Sequence, residues 1–359
     1  MDGAIQRICA TMSRNSGLGN DSSASRFESR IPNPESGAPH MARYRAALPQ
    51  LTGSLFLTDG GIETTLIFHE GLELPDFAAF HLLKTAEGRE ALLKYFRAYA
   101  DIAQRLGTGL ILESATWRAS ADWGARLGYT PEALAEANRV SISLLEQIRE
   151  EFENGPTRIV ISGCVGPRGD GYVAHSVMSA QQAENYHSEE IETFAGTSAD
   201  MVCAITMNYV EEAIGISRAA ERARMPVALS FTVETDGRLP TGQTLRAAIE
   251  QVDESTGGYP RYYMINCAHP THFEGALADE GRWLGRVRGL RANASRKSHA
   301  ELNESTVLDV GDPVELGGDY ARVKGRLRHL NVMGGCCGTD HRHVEQIASV
   351  CVPLFGTAV

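Results

Sequence analysis

Arg158-Ile159-Val160-Ile161-Ser162-Gly163-Cys164 is an apolar run of strand length, closed by Val165-Gly166-Pro167 and set between two stretches of helical apolar spacing, 131–152 before it and 180–199 after it. A parallel strand covered on both faces has this signature, because its residues need not alternate between core and solvent. The unit recurs along the chain. Short apolar or β-branched runs stand at 54–58, 109–113, 158–164, 201–206, 227–234, 262–267, 287–293 and 330–333. Between them the 3.6-residue period predicts helices over 87–106, 131–152, 180–199, 211–224, 244–252 and 341–350, with Thr130 as a cap and Pro131 in a first turn. The helix after the sixth run is poorly marked. The segment 298–326, broken at Gly311-Asp312-Pro313 and Gly317-Gly318, reads as two short helices. Eight strand-then-helix units in roughly 300 residues predict an α/β fold, a (β/α)8 TIM barrel over residues 49–355, with its chemistry at the C-terminal ends of the strands. A doubly wound open sheet is the competitor, but no Gly-x-Gly-x-x-Gly follows the first strand and there is no Walker loop.

Composition sets the outer limits. With 43% hydrophobic and 22% charged residues the chain matches globular values, which excludes wholesale disorder and a fibre. Lys and Arg number 34 against 45 Asp and Glu, a formal net charge of −11, which argues against nucleic acid or an anionic membrane as partner. No apolar run approaches the ~18 to 20 residues of a membrane span. The cysteines number seven, an odd count without a secretory signal, so a cytoplasmic protein with reduced thiols is expected. Residues 1–48, rich in Ser, Asn, Gly, Pro and Arg, read as a disordered N-terminal extension, with Met41 as an alternative start.

In a barrel, polar and reactive residues should collect just past the strands, and they do. Asp59-Gly60-Gly61 follows the first run, Glu113-Ser114-Ala115-Thr116-Trp117 closes the second, and Cys164-Val165-Gly166-Pro167 closes the third. Glu234-Thr235-Asp236-Gly237 ends the fifth, Asn266-Cys267-Ala268-His269 the sixth, and Gly335-Cys336-Cys337-Gly338 the eighth. Cys267, Cys336 and Cys337 therefore sit at two strand ends on one face. Three thiolates converging there suit Zn²⁺ and leave a fourth position open, as catalytic zinc sites do. Cys336 and Cys337 would point to opposite faces of a regular strand, so both can ligate one ion only if the chain turns there; the flanking glycines permit that turn. The competing reading is a packed Cys267 beside a Cys336-Cys337 pair that is accidental or a strained vicinal disulfide. His269 and His272 are near enough in sequence to be weighed as a fourth ligand, and Cys164 reads as a packed strand residue.

Leu57-Thr58-Asp59-Gly60-Gly61-Ile62-Glu63-Thr64, Ile265-Asn266-Cys267 and Gly334-Gly335-Cys336-Cys337-Gly338-Thr339 together resemble the homocysteine S-methyltransferase family. That family includes the betaine-dependent and S-methylmethionine-dependent enzymes and the homocysteine module of cobalamin-dependent methionine synthase. The resemblance runs in order through 162–167 and 298–302 and spans roughly residues 50 to 353. It implies a barrel in which Cys267, Cys336 and Cys337 are the catalytic metal ligands, zinc is the cofactor, and the homocysteine thiol fills the fourth position. The implied reaction takes a methyl group from an onium donor of the S-methylmethionine, S-adenosylmethionine or betaine type and gives methionine. Asp59 matches the family's aspartate for the homocysteine ammonium. Ile205 stands where a glutamate for the same ammonium is expected, so Glu234 or Glu113 must supply that carboxylate, or the acceptor is a different thiol. A non-catalytic zinc-binding barrel acting as a partner protein is the alternative from another class. Trp117, Trp123 and Tyr172 are candidates for a donor pocket, since an aromatic face attracts an onium cation.

Overall fold

The computed structural model describes residues 41–356 except 175–176, 279–280 and 306. Eight parallel strands, β1 Phe56–Leu57, β2 Gly109–Glu113, β3 Ile159–Val165, β4 Met201–Met207, β5 Val227–Thr232, β6 Tyr262–Asn266, β7 Val287–Ala292 and β8 Val332–Gly335, pair in sequence order and close into a barrel. β1 completes the ring by pairing with both β2 and β8. Among the described residues ten α-helices lie between and after them: α1 Ala86–Leu106, α2 Ala121–Arg126, α3 Pro131–Phe152, α4 Ala180–Ala195, α5 Val210–Arg222, α6 Leu245–Thr256, α7 Pro270–Phe273, α8 His299–Glu304, α9 Pro313–Arg326 and α10 His341–Cys351. The expected (β/α)8 barrel is the fold found, and α8 and α9 are the two short helices read in the 298–326 segment.

Period-2 alternation sorts the strand residues between two cores. Ile159, Ile161, Leu110, Leu112 and Leu229 face the helices, while Val160, Ile111, Phe56, Cys203, Tyr262 and Met264 fill the barrel interior. Local signals fix the helix starts. The Thr130 hydroxyl accepts from the Ala133 amide at 3.2 Å with Pro131 behind it, and Ser179 and Gln182 form a reciprocal capping box at the start of α4. The element after β6 was poorly marked because it is a single turn, α7, followed by short 3₁₀ segments.

One boundary differs from the sequence reading. Residues 1–40 of the expected extension lie outside the described residues, but 41–48 are held against the foot of the barrel. The Tyr44 amide donates to Asp200 at 2.6 Å, and the Arg45 guanidinium takes the carbonyls of Ala195, Thr197 and Ala199. Leu48 is buried against the interior cluster, with Tyr44 and Leu51 beside it. Arg45 also explains why α4 stops at Ala195 rather than at 199: the carbonyls past the helix end are satisfied by a distant side chain instead of by further turns. The apolar residues of 41–48 are too few and too irregularly spaced to show a period, so this plug is invisible without the barrel it fills.

Candidate metal and substrate site

The three expected ligands meet at the C-terminal mouth of the barrel. Cys267 Sγ lies 2.6 Å from Cys336 Sγ and 3.7 Å from Cys337 Sγ, and among the described residues these are the grouped His, Cys, Asp or Glu side chains able to share one metal ion. Cys336 and Cys337 are both free cysteines, bonded neither to each other nor to Cys267. The vicinal-disulfide alternative therefore does not describe this site.

Local backbone conformation produces the convergence. β8 ends at Gly335, and the chain then turns, with the Thr339 amide donating to the Cys336 carbonyl at 3.1 Å and Gly338 at φ 79°. That turn brings both adjacent sulfurs to one side, the condition the sequence imposed. Glycine at 61 and 335 is required by space: a Cβ at Gly61 would lie 2.6 Å from the Cys336 carbonyl oxygen, and one at Gly335 2.0 Å from Thr339 Oγ1. Cys267 takes the left-handed conformation at φ 54°, uncommon for a residue with a side chain. Its backbone is over-determined: the amide donates to the Arg291 carbonyl, and its carbonyl accepts from Asn293 Nδ2 at 3.0 Å and from His299 Nε2 at 2.6 Å. Asn266 anchors the preceding residue by accepting from the Ser230 hydroxyl and the Thr206 amide while donating to Thr206 Oγ1, which ties β4, β5 and β6 together below the thiols.

Cys336 is the most acidic of the three sulfurs. The Cys267 and Cys337 thiols donate to it and the Arg291 charge lies nearby, so its pKa falls well below the ordinary thiol value, while Cys267 and Cys337 are pushed up. A tetrahedral zinc with bonds near 2.3 Å separates its sulfurs by about 3.8 Å. The Cys267–Cys337 pair already has that spacing, and Cys336 needs to withdraw by roughly 1 Å. Soft donors at this spacing fit a thiophilic divalent metal. The two weighed histidines are committed elsewhere: His269 caps α7 and faces Asp319, and His272 bonds the Arg296 carbonyl.

The thiols border a cavity of about 920 Å³ including its open mouth, also lined by Asp59, Glu63, Glu113, Trp117, Tyr172, Ile205 and Arg291. Tyr172 stands over the sulfurs, its hydroxyl 3.3 Å from Cys267 Sγ and its ring against that of His299. Trp117 lines the same space and donates from Nε1 to the Ile205 carbonyl. Trp123 instead lines a neighbouring cavity, and the buried Arg118 guanidinium lies 3.9 Å from the centroids of both its ring and that of Trp117. Cys164 is a buried strand residue, as read, and also borders the cavity.

The carboxylates are arranged otherwise than the sequence suggested. Asp59 is in the cavity wall, but both its oxygens are engaged: Oδ1 with Arg291 Nη2 at 2.6 Å and Oδ2 with the Tyr95 hydroxyl at 2.8 Å. Glu113 lines the cavity with Oε2 unpartnered, and burial pushes its pKa up to about 7 against the pull of Arg291. Glu234 does not reach the cavity. β5 ends at Thr232, and the Glu234 backbone closes the turn to Gly237, leaving its side chain over one-third exposed beside His299. Ile205 contributes an apolar wall at the place where the resemblance called for a carboxylate.

Sequence reading passed over Arg291, Tyr95, His299 and Glu63. Arg291 had a signal: a charged residue inside an apolar strand run is rarely buried without a partner. Glu63 sits within the quoted first motif, and burial raises it to about 7. Tyr95 lies on α1, and nothing local marks it.

The sequence model of the homocysteine S-methyltransferase family matches residues 56–351. The chain belongs to the homocysteine S-methyltransferase family. It is a methyltransferase barrel, and the resemblance read from its motifs holds across the domain. Among solved structures, the oxidised form of the homocysteine methyltransferase MmuM from Escherichia coli aligns at 19% identity with a TM-score of 0.65, covering 82% of this chain and 95% of that one. The metallated form of MmuM aligns at 17% identity and the same TM-score, covering 83% and 96%. At these identities the likeness establishes the shared fold. Among curated proteins no relative matches. No helix of the described residues is long and apolar enough to cross a membrane.

Glu113 carries a pH signature that can be measured. Its folded pKa of about 7 lies above the ordinary 4.5, so its contribution to stability is full below about pH 4.5 and is lost as pH rises through 7. Glu113→Gln is expected to flatten the stability profile between those limits and to raise stability at pH 8, by on the order of 3 kcal/mol at most. Urea denaturation of both proteins from pH 5 to 8 measures this; parallel profiles would mean that Glu113 is ionised throughout.

Proposed function

We propose that this chain is a zinc-dependent thiol S-methyltransferase that transfers a methyl group from an onium donor to homocysteine and forms methionine. The observation that carries the reading is the convergence of Cys267, Cys336 and Cys337 at the mouth of an open cavity, with no fourth His, Cys, Asp or Glu joining them among the described residues. A closed structural zinc takes four protein ligands, whereas three leave room for a substrate thiol. The free cysteines fit a reducing compartment, the cytoplasm.

Cys267, Cys336 and Cys337 would hold the zinc ion, which when bound would lower the pKa of an added thiol so that it ionises at neutral pH. The protein's own groups do the rest. Glu113, with its unpartnered oxygen, receives the homocysteine ammonium that Asp59, committed to Arg291, no longer binds alone. Trp117 and Tyr172 offer aromatic faces to the cationic donor and exclude water. In the displacement the new S–C bond forms as the bond from the onium centre to the methyl carbon breaks. The bonding pair leaves with the donor as a neutral sulfide or amine, and the acceptor's proton has already gone to solvent. Ile205 favours a second reading, in which the same chemistry acts on a thiol without an amino group.

Isothermal titration of homocysteine into zinc-loaded and metal-depleted protein separates these outcomes. Metal-dependent binding with release of about one proton per site is expected. Glu113→Gln should weaken it and Glu234→Gln should not. Binding independent of metal overturns the proposal, and metal-dependent binding of thiols that excludes homocysteine moves it to the second reading.

A further inference from the structure

The interior of the mouth contains one full positive charge that the zinc chemistry does not call for. Arg291, on β7, is 6% exposed. Its Nη2 is spent on Asp59 and the Gly60 carbonyl, and its Nε donates to the Gly335 carbonyl, one residue before Cys336. Nη1 is buried, has no hydrogen-bond partner among the described residues, and belongs to a side chain that lines the cavity. A guanidinium has no acceptor capacity, so Nη1 needs a lone pair; Glu113 and Cys336, whose charges act on Arg291, make no hydrogen bond to it, and an anionic oxygen entering the cavity fills it best. Leaving such a donor unfilled beside a substrate cavity is costly, so while Nε and Nη2 hold the side chain in place, Nη1 is free to act in recognition.

Resting on the proposed thiol methyl transfer, we infer that Arg291 Nη1 is the seat of an acid group on the acceptor, so that this enzyme selects short thiols carrying a carboxylate and reads the acid more strongly than the amine. Two neighbours support the assignment. Ile205 lines the cavity with no charge to hold an amine, and the Asp59 charge is offset by the same arginine. The link through Gly335 puts the guanidinium next to the metal-binding turn, so the thiol and its acid must be separated by only a short chain.

Two truncated forms of homocysteine test this on the zinc-loaded full-length protein: 4-mercaptobutanoate, which lacks the amine, and 3-mercaptopropylamine, which lacks the carboxylate, with butane-1-thiol as a neutral reference. Titration calorimetry should show the acid binding roughly ten- to a hundredfold more tightly than the amine, the size of one charge-assisted hydrogen bond. In Arg291→Lys, which keeps a cation beside Asp59 but lacks the planar fork, the preference should collapse to within about threefold. Equal binding of acid and amine by the wild-type protein, or an undiminished preference in folded Arg291→Lys, overturns the inference without touching thiol methylation. Acid-selective binding with no methyl transfer from any onium donor upholds the inference and sinks the function proposed above. Failure of every thiol to bind overturns both.

Discussion

Cys336→Ser is expected to abolish stable metal retention and, with it, methyl transfer. Cys336 is the sulfur on which the other two thiols and the Arg291 charge converge, so its loss removes the most acidic of the three ligands. A serine hydroxyl at that point is a hard, neutral donor that competes poorly for a thiophilic ion. Altering an outer contact at a metal site costs roughly 10- to 100-fold in affinity, and losing one of three direct ligands should cost more. Metal content after dialysis against a weak chelator, read beside circular dichroism, checks the expectation. A folded Cys336→Ser protein retaining a full equivalent of zinc would show that the metal is held elsewhere.

The second large effect concerns the buried pair beneath the site. Asp59→Asn leaves the Arg291 guanidinium in the barrel mouth without its close carboxylate partner, both side chains being less than a tenth exposed. Removing one member of such a pair costs about 3 to 5 kcal/mol, because the remaining charge is desolvated and uncompensated. Urea denaturation should show that loss, and homocysteine binding should weaken in parallel. The paired replacement Asp59→Leu with Arg291→Met is expected to cost less than Asp59→Asn alone, since it buries no lone charge. A single variant as stable as wild type would mean that Glu113 compensates Arg291 by itself.

The acceptor site shows where sequence reading stops. Asp59, Glu113 and Glu234 looked equivalent, each a carboxylate at the end of a strand. The structure gives them three different fates: Asp59 is neutralised by a residue more than two hundred positions away, Glu113 is buried with a free oxygen, and Glu234 is turned outward by the tight bend after β5. None of these follows from local pattern, because the partner of a charge depends on register around the closed barrel and on where each strand stops. Arg291 was hidden for the same reason. Its meaning arises only when β7, β8 and the Asp59-Gly60 turn are brought together.

The eight strand runs, the longer helices between them, and the placing of Cys267, Cys336 and Cys337 at strand ends beside turn-permitting glycines were determined by the sequence alone, whereas α2 and the single turn of α7 were not. Each of the former rests on an interaction of short range along the chain: side-chain period, capping, and the space a glycine leaves. Tertiary structure alone decided the plug formed by residues 41–48, the lowered pKa of Cys336, the outward turn of Glu234, and the Asp59–Arg291–Tyr95 cluster with one donor left over. Those depend on burial and on charges meeting across the barrel mouth, where a low local dielectric makes the choice of partner a question of a few ångströms.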